Sequence, residues 1–445
     1  MGRQDFLAVA LAAVVMSSGM AGPAAGEALS LEQAIAMALQ NNRELSAADA
    51  RLEAAEAGVD EANAARLPQV DLAAGFQRTD HPVQVFGTLL SQGEFGAENF
   101  AIDALNQPAP LSDWNSRLSL SLPLWTGGGI RAQREAAVAQ REAATAGREQ
   151  ARQQVIYRVM ESYSAAVLAQ GQLEVAKGAL AAAQANVKVT EDLWQAGLVV
   201  ESDPLQAKVR ESAVQELVIR AESGVAVSRA ALNQVLGRDL DELLELPSDL
   251  AVGEAAAFDL AALLEEGRES RPDLEAAAQQ VETARLQLKA ERSTRWPQLV
   301  LQSAVDTDGQ DFFTGDNAHW SAGVGFRLRL FDGAAGRSRE RQAEARQREA
   351  EAQRQLLEDA VGLQIRQAYY ELDAARQRLE QASAAVALAE RGRAIVEDRY
   401  KSGLARLPEL LDAETALTEA RLRAVAARRD LLLTRAALDL AAGRL

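Results

Sequence analysis

The sequence predicts a mainly α-helical chain with a membrane β-barrel part, built as two copies of a helix–strand–strand–long helix–helix unit. Three observations carry this. The 445 residues are 48% hydrophobic but only 4% aromatic, the composition of long helices in close contact rather than of a mixed globular core. Landmark segments recur in register in the two halves. Four short segments alternate apolar and polar residues, the pattern of a sheet with one dry face.

At the N-terminus, Arg3 precedes an apolar run from Phe6 to Met16 and a small-residue segment, Ala24-Ala25-Gly26. Residues 1–28 therefore read as a secretory signal peptide, with an apolar part too short for a membrane span. No later run reaches the roughly 18 apolar residues of a transmembrane helix, so any membrane crossing falls to strands. Cysteine is absent, which excludes disulfides and thiolate metal sites. A net charge of −17 argues against binding a phosphate backbone, so no nucleic acid partner is expected.

The first structural repeat spans 29–240, the second 259–445, and 241–258 forms an inter-repeat connection, expected to lie in an equatorial region. "ARLPQVDLAAGF" from Ala65 is answered by "TRWPQLVLQSAV" from Thr294, "LPLWTGGGIR" by "LRLFDGAAGR", and "LWQAGLVVESDPLQA" by "RYKSGLARLPELLDA". Leu124 and Leu330 lie 206 residues apart, as do Gly197 and Gly403, whereas Pro68 and Pro297 lie 229 apart. The difference of 23 residues falls in the Gly-, Pro- and Asn-rich stretch from His81 to Pro110, which reads as a loop.

Each repeat opens with a helix, about Ser30 to Arg66 and Asp259 to Arg295, stopping before Pro68 and Pro297. Long helices follow from about Arg131 to Ala196 and Arg337 to Ser402, each on the order of 100 Å long. Ile365, Ala368, Leu372, Ala375, Leu379, Ala382, Val386 and Ala389 recur in steps of three and four. That heptad seam implies left-handed supercoiling against a partner.

Leucine takes every second place from Leu118 to Leu124. In the second copy Trp320, Ala322, Val324, Phe326, Leu328 and Leu330 share one face, while Ser321, Gly323, Gly325, Arg327 and Arg329 share the other. The same period fits a half-buried strand of a soluble sheet. Tryptophan favours the membrane: Trp114, Trp125, Trp296 and Trp320 stand near strand ends, with Phe331 matching Trp125, as at membrane–water interfaces. Arg327 and Arg329 are then expected in a barrel lumen. Gly127, Gly128 and Gly129, with Gly333 and Gly336 in the second copy, are the expected hinges between strand and helix. Four strands cannot close a barrel, so copies of the chain must pool their strands by cyclic symmetry. Two copies and three both satisfy that arithmetic.

Other chemistry is thinly represented. His81 and His319 lack ligand partners at useful spacing, the three glycines lack the lysine of a phosphate loop, and Asp306 to Asp311 lacks the spacing of a calcium loop. No catalytic residues, no metal and no cofactor are expected.

The segment order, the duplication, "LPLWTGGG" with "LRLFDGAAG", and "YKSGLARLPELLDAE" together resemble the TolC-like outer-membrane efflux proteins of Gram-negative bacteria, over essentially the whole mature chain. The resemblance implies a homotrimer in outer-membrane lipid. Its fold is a trimeric α/β-barrel, four strands per chain in a shared twelve-stranded barrel, above a long coiled-coil α-helical tunnel in the periplasm. It implies an exit duct of a tripartite efflux or type I secretion system, fed by an inner-membrane pump (RND, ABC or MFS type) through a periplasmic adaptor protein. The alternative from another class is a secreted coiled-coil structural protein without a pore.

The resemblance also implies a periplasmic gate at Tyr400, Glu409 and Asp412. Carboxylates at i and i+3 share one helix face, although a helix N-terminus collects the same residues for its dipole. Ala405 stands where some members carry a gating arginine, with Arg406 next. The adaptor is expected to meet the hairpin tips at Gly197, Leu198, Val199, Gly403 and Leu404, with Leu407 exposed beside them.

Overall fold

A computed structural model describes residues 28–247, 249–250, 258–312 and 317–445. The expected signal peptide, save Ala28, and much of the inter-repeat connection lie outside them. The first repeat contains α1 (Leu31–Asn41), α2 (Arg43–Ala64), β1 (Gln69–Thr79), α3 (Pro82–Ser91), α4 (Ile102–Asn106), β2 (Leu111–Trp125), α5 (Gly129–Gln195) and α6 (Ser202–Leu236). The second contains α7 (Leu260–Ser270), α8 (Pro272–Ser293), β3 (Gln298–Gly309), β4 (Ala318–Arg327), α9 (Ala335–Lys401) and α10 (Leu407–Ala441).

The opening helix of each repeat is broken in two. Asn42 leaves the helical region at ψ 128° and its side chain caps the Glu44 amide of α2. In the second repeat Pro272 cannot donate a backbone hydrogen bond, so α7 ends at Ser270 and α8 begins at the proline. The expected loop before β2 is also more ordered than its composition indicates, holding α3, a 3-10 turn at Ala97–Phe100, and α4.

The long helices α5 and α9 are 67 residues each. They begin at equivalent points because the same capping bond precedes them. Ile130 N–H donates to Thr126 Oγ1, and Gly336 N–H donates to Asp332 Oδ2. In the heptad seam of α9, Ile365, Ala368, Leu372 and Ala375 are buried, and Leu379, Ala382, Val386 and Ala389 are partly covered.

The chain divides into two compact units. One holds residues 28–41, 158–250 and 377–433; the other holds 42–157, 258–376 and 434–445. In the first, Gly237 ends α6 in the left-handed region, and its position for a Cβ lies 2.5 Å from Asn41 O. In the second, Gly443 follows α10 in the same conformation, 2.9 Å from Ser270 O. A side chain fits neither place. The duplication thus extends to individual contacts.

The second unit contains one antiparallel sheet in the order β1-β2-β3-β4. Within each repeat the strands form a hairpin, and the β2–β3 pairing joins the two hairpins. β1 and β4 are edges.

Candidate functional site

The register sorts the sheet into two faces. Val70, Leu72 and Phe76 align with Leu120, Leu118 and Trp114. Leu118 and Leu122 continue across to Val305 and Leu301, these to Trp320 and Val324, and Leu299 to Phe326. Val70, Leu72, Phe76, Leu118, Trp320, Val324 and Phe326 are all exposed, so the chain leaves this apolar face uncovered.

From Trp114 to Trp125 the strand is about 37 Å long. Tilted by about 45°, it spans about 26 Å, close to the apolar band of a transmembrane barrel. Trp114 packs against Phe76 at 4.8 Å and Phe312 at 5.1 Å near one end of this band. Trp125 aligns with Leu299 beside a bulge at the other. Phe331, beyond β4, is exposed.

The opposite face carries Gln69, Asp71, Asp113, Asn115, Arg117, Asp306, Asp308, His319 and Arg327, from the same registers. Arg117 pairs with Asp306, and Asn115 Nδ2 donates to Asp308 Oδ1 at 2.9 Å. Arg327 lies on this face as expected from its alternation. Arg329 does not lie on a strand: β4 stops at Arg327, which pairs with Gln298, and Pro297 offers no further amide to extend the ladder.

At the join between sheet and long helices, the bend is made by Gly127 (φ 63°) and Gly128 (φ 85°), and again by Gly333 (φ 65°) and Ala334 (φ 70°). Gly129 and Gly336, expected among the hinges, instead lie in the first turns of α5 and α9. A side chain at Gly127 collides with Trp296 Cβ and Ser293 O, so that glycine also permits close packing.

The two hairpin tips are built alike. Gly197 (φ 73°) and Gly403 (φ 72°) are left-handed, and Leu198 N–H and Leu404 N–H reach back to Leu193 O and Arg399 O. These are the 6→1 bonds of a glycine-terminated helix. Leu198 and Leu404 are 71% and 70% exposed, and Val199 is half-buried. Leu407, expected to be exposed, is buried: it opens α10 and packs with Ala207, Tyr400 and Leu410.

The three residues expected at a gate occupy three environments. Tyr400 is 6% exposed, and its hydroxyl has no hydrogen-bond partner among the described residues; burial first, then the charge of Asp203, raises its pKa. Glu409 turns back to its own helix start, with Oε1 3.4 Å from Arg406 N and 3.6 Å from Arg406 Nε. Asp412 is exposed. Glu409 thus faces the start of its own helix, while Asp412 faces solvent.

Two features escaped the sequence reading. Glu414 is buried, and its Oε2 accepts from Asn186 Nδ2 at 2.7 Å; it borders a cavity of about 180 Å³ that Arg210, Arg393 and Arg421 also line. Arg271, at the α7–α8 break, grips Asp273 through Nε and Nη2 at 2.9 and 2.5 Å, and donates from Nη1 to Gln364 Oε1 and Ala441 O. Asn186 is distant in sequence from Glu414, as Gln364 and Ala441 are from Arg271, and the one local pair, Arg271 with Asp273, forms no recognisable motif.

The profile of the family described as outer membrane efflux protein matches residues 34–238 and 263–444. Protein CyaE of Bordetella pertussis is 28% identical over 94% of this chain and 84% of its own length. Outer membrane protein TolC of Vibrio cholerae is 24% identical over 89% of this chain and 86% of its own. Among solved structures, the outer membrane protein VceC of Vibrio cholerae superposes with a TM-score of 0.76 at 23% identity, covering 93% of this chain and 96% of that one.

Proposed function

The chain belongs to the outer membrane efflux protein family, and from that premise we propose that it is the outer-membrane exit duct of a tripartite efflux or type I secretion system. It conducts substrate passively from an inner-membrane pump and periplasmic adaptor to the outside. The observation that carries this reading is the sheet itself, with one exposed apolar face and two unpaired edges. Water disfavours that face, and lipid disfavours those edges. Three copies, each adding four strands, resolve both by closing a twelve-stranded barrel with the polar face inward. A pore-less coiled-coil spacer has no use for such a sheet.

The duplication supplies the register between copies. β2 pairs with β3 where the two repeats meet. β4 is β2 moved on by 206 residues, and β1 is β3 moved back by 229. The same pairing carried to a neighbouring copy sets Val324 opposite Phe76, as Leu118 stands opposite Val305. It also sets Ser321 opposite Thr79, as Asn115 stands opposite Asp308. The end of β2 past Ser121 is held by β3 alone, so residues 328–331 become strand only when the neighbour's β1 arrives. Arg329 then joins Arg327 in the lumen, facing Asp71 of the next copy.

In this assembly Tyr400, Glu409 and Asp412 mark the periplasmic entrance, and the exposed Leu198 and Leu404 tips meet the adaptor. The test is outer-membrane fractionation, heat-modifiable gel mobility and planar-bilayer conductance of the purified protein. A soluble chain without a closed oligomer or conductance refutes the reading.

A further inference from the structure

The short helix α3 lies across the polar face of the sheet, at the end away from the long helices. Four side chains of that face hold its segment. Gln77 Nε2 and Thr79 Oγ1 both donate to Gln84 Oε1 at 3.2 Å. Asp113 Oδ1 accepts from Gln92 Nε2 at 2.8 Å, and His319 Nε2 sits 3.0 Å from Ser91 O. Asn317 Nδ2 donates to Gln92 O from the start of the last strand. Gln77, Thr79, Asp113 and His319 share the polar face by strand register, so α3 is on the side that faces the lumen in the proposed barrel.

The helix turns its own polarity the wrong way for water. Val85 and Gln92 are buried against the sheet. On the opposite side, Val83, Phe86 and Leu90, at 75%, 36% and 52% exposure, form an apolar stripe. The stripe continues through the ring stack of Phe86, Phe95 and Phe100, with centroids 4.7 and 5.1 Å apart, to exposed Ile102. No charged residue occurs in α3. Lipid cannot be its cover, because the lipid-facing side of the sheet is the other one.

Barrel size supplies the occupant. Twelve strands about 4.8 Å apart and tilted by about 40° give a wall radius of about 12 Å. A helix with its side chains is about 10 Å across, so three lying on the inner wall reach the axis. We infer that the stripes of Val83, Phe86 and Leu90 from three copies meet there, forming an apolar constriction at the outer mouth, distinct from the acidic periplasmic entrance. Such a constriction opposes ion flow by dewetting while yielding to larger cargo. This inference rests on the duct reading.

The chain has no cysteine, so single introduced thiols report cleanly. Phe86→Cys and, separately, Val83→Cys are treated in outer membranes with a short bifunctional maleimide, and planar-bilayer conductance is measured for Phe86→Ser combined with Leu90→Ser. The expected results are chain-to-chain cross-links for at least one cysteine variant and a conductance raised about twofold or more. Trimers that conduct, yet give no cross-link at either position and no rise in the serine variant, overturn the constriction and leave the duct intact. Failure of the unmodified protein to form a conducting oligomer overturns both.

Discussion

Ala334 holds in the second repeat the left-handed backbone conformation that Gly128 holds in the first, at φ 70° against 85°. An alanine there bears a strain that glycine avoids, of about 1–2 kcal/mol. Open space surrounds the Cβ position at Gly128, so the difference resides in the backbone. Ala334→Gly is expected to stabilise the protein by about 1 kcal/mol, and Gly128→Ala to destabilise it by a similar amount. Shifts of opposite sign in the thermal midpoint check this.

The register between copies is testable at one rung. Ser321→Cys combined with Thr79→Cys is expected to give covalent dimers and trimers on non-reducing gels after mild oxidation. Ser321→Cys combined with Gln77→Cys, two residues out of step, is expected to give little. The reverse pattern identifies a slipped register.

At the tips, Glu409→Gln with Asp412→Asn is expected to lower cation-over-anion selectivity in planar bilayers, because rings of carboxylates favour cations. Glutamine can still return a hydrogen bond to the helix start. Folding is therefore expected to survive while selectivity falls.

Arg271 and Asp273 have side chains each only 12% exposed. Arg271→Met leaves that carboxylate without its cation and is expected to cost about 3 kcal/mol, seen as a lower thermal midpoint. Arg271→Lys is expected to recover little, since lysine cannot reproduce the two-pronged grip.

Glu397 accepts from Lys401 Nζ at 2.9 Å and Arg393 Nη1 at 2.7 Å. The Lys401 hydrogen bond chiefly holds its pKa below the ordinary 4.5, with both cations assisting and burial opposing. A carboxylate depressed on folding adds stability above its unfolded value, and that stability disappears as pH falls through the folded value. Below about pH 4.5 the thermal midpoint should therefore fall with acid, less steeply in Glu397→Gln. Partial exposure keeps the difference small.

How legible the fold was depended on what each feature required. Equal spacing between Leu124–Leu330 and Gly197–Gly403 was enough to foresee helices of equal length, because a helix converts residue count directly into distance. The alternation after Trp320 was enough to sort Arg327 from Phe326. The breaks at Asn42 and Arg271 were less visible, since each depends on a cap or a proline inside an otherwise helical pattern. Helix α3 was hidden for a different reason: its ten residues lie within a Gly-, Pro- and Asn-rich stretch that reads as a loop, and partners that hold it, Asp113 and His319, are remote in sequence. Leu407 was misplaced because a turn-side leucine looks exposed until its helix begins one residue earlier. The lumen role proposed for Arg329 requires a strand that β4, which ends at Arg327, does not itself supply.

The matched helices also constrain how the chain can change. One heptad added to α5 alone moves Gly197 by about 10 Å along its column, leaving Gly403 behind and separating the two tips proposed to meet the adaptor. The same heptad added to both α5 and α9, with compensating lengths in α6 and α10, keeps the tips level and lengthens the reach. Changes in span are therefore expected to be tolerated in matched sets, because the reach of the helices is a residue count written twice in one chain.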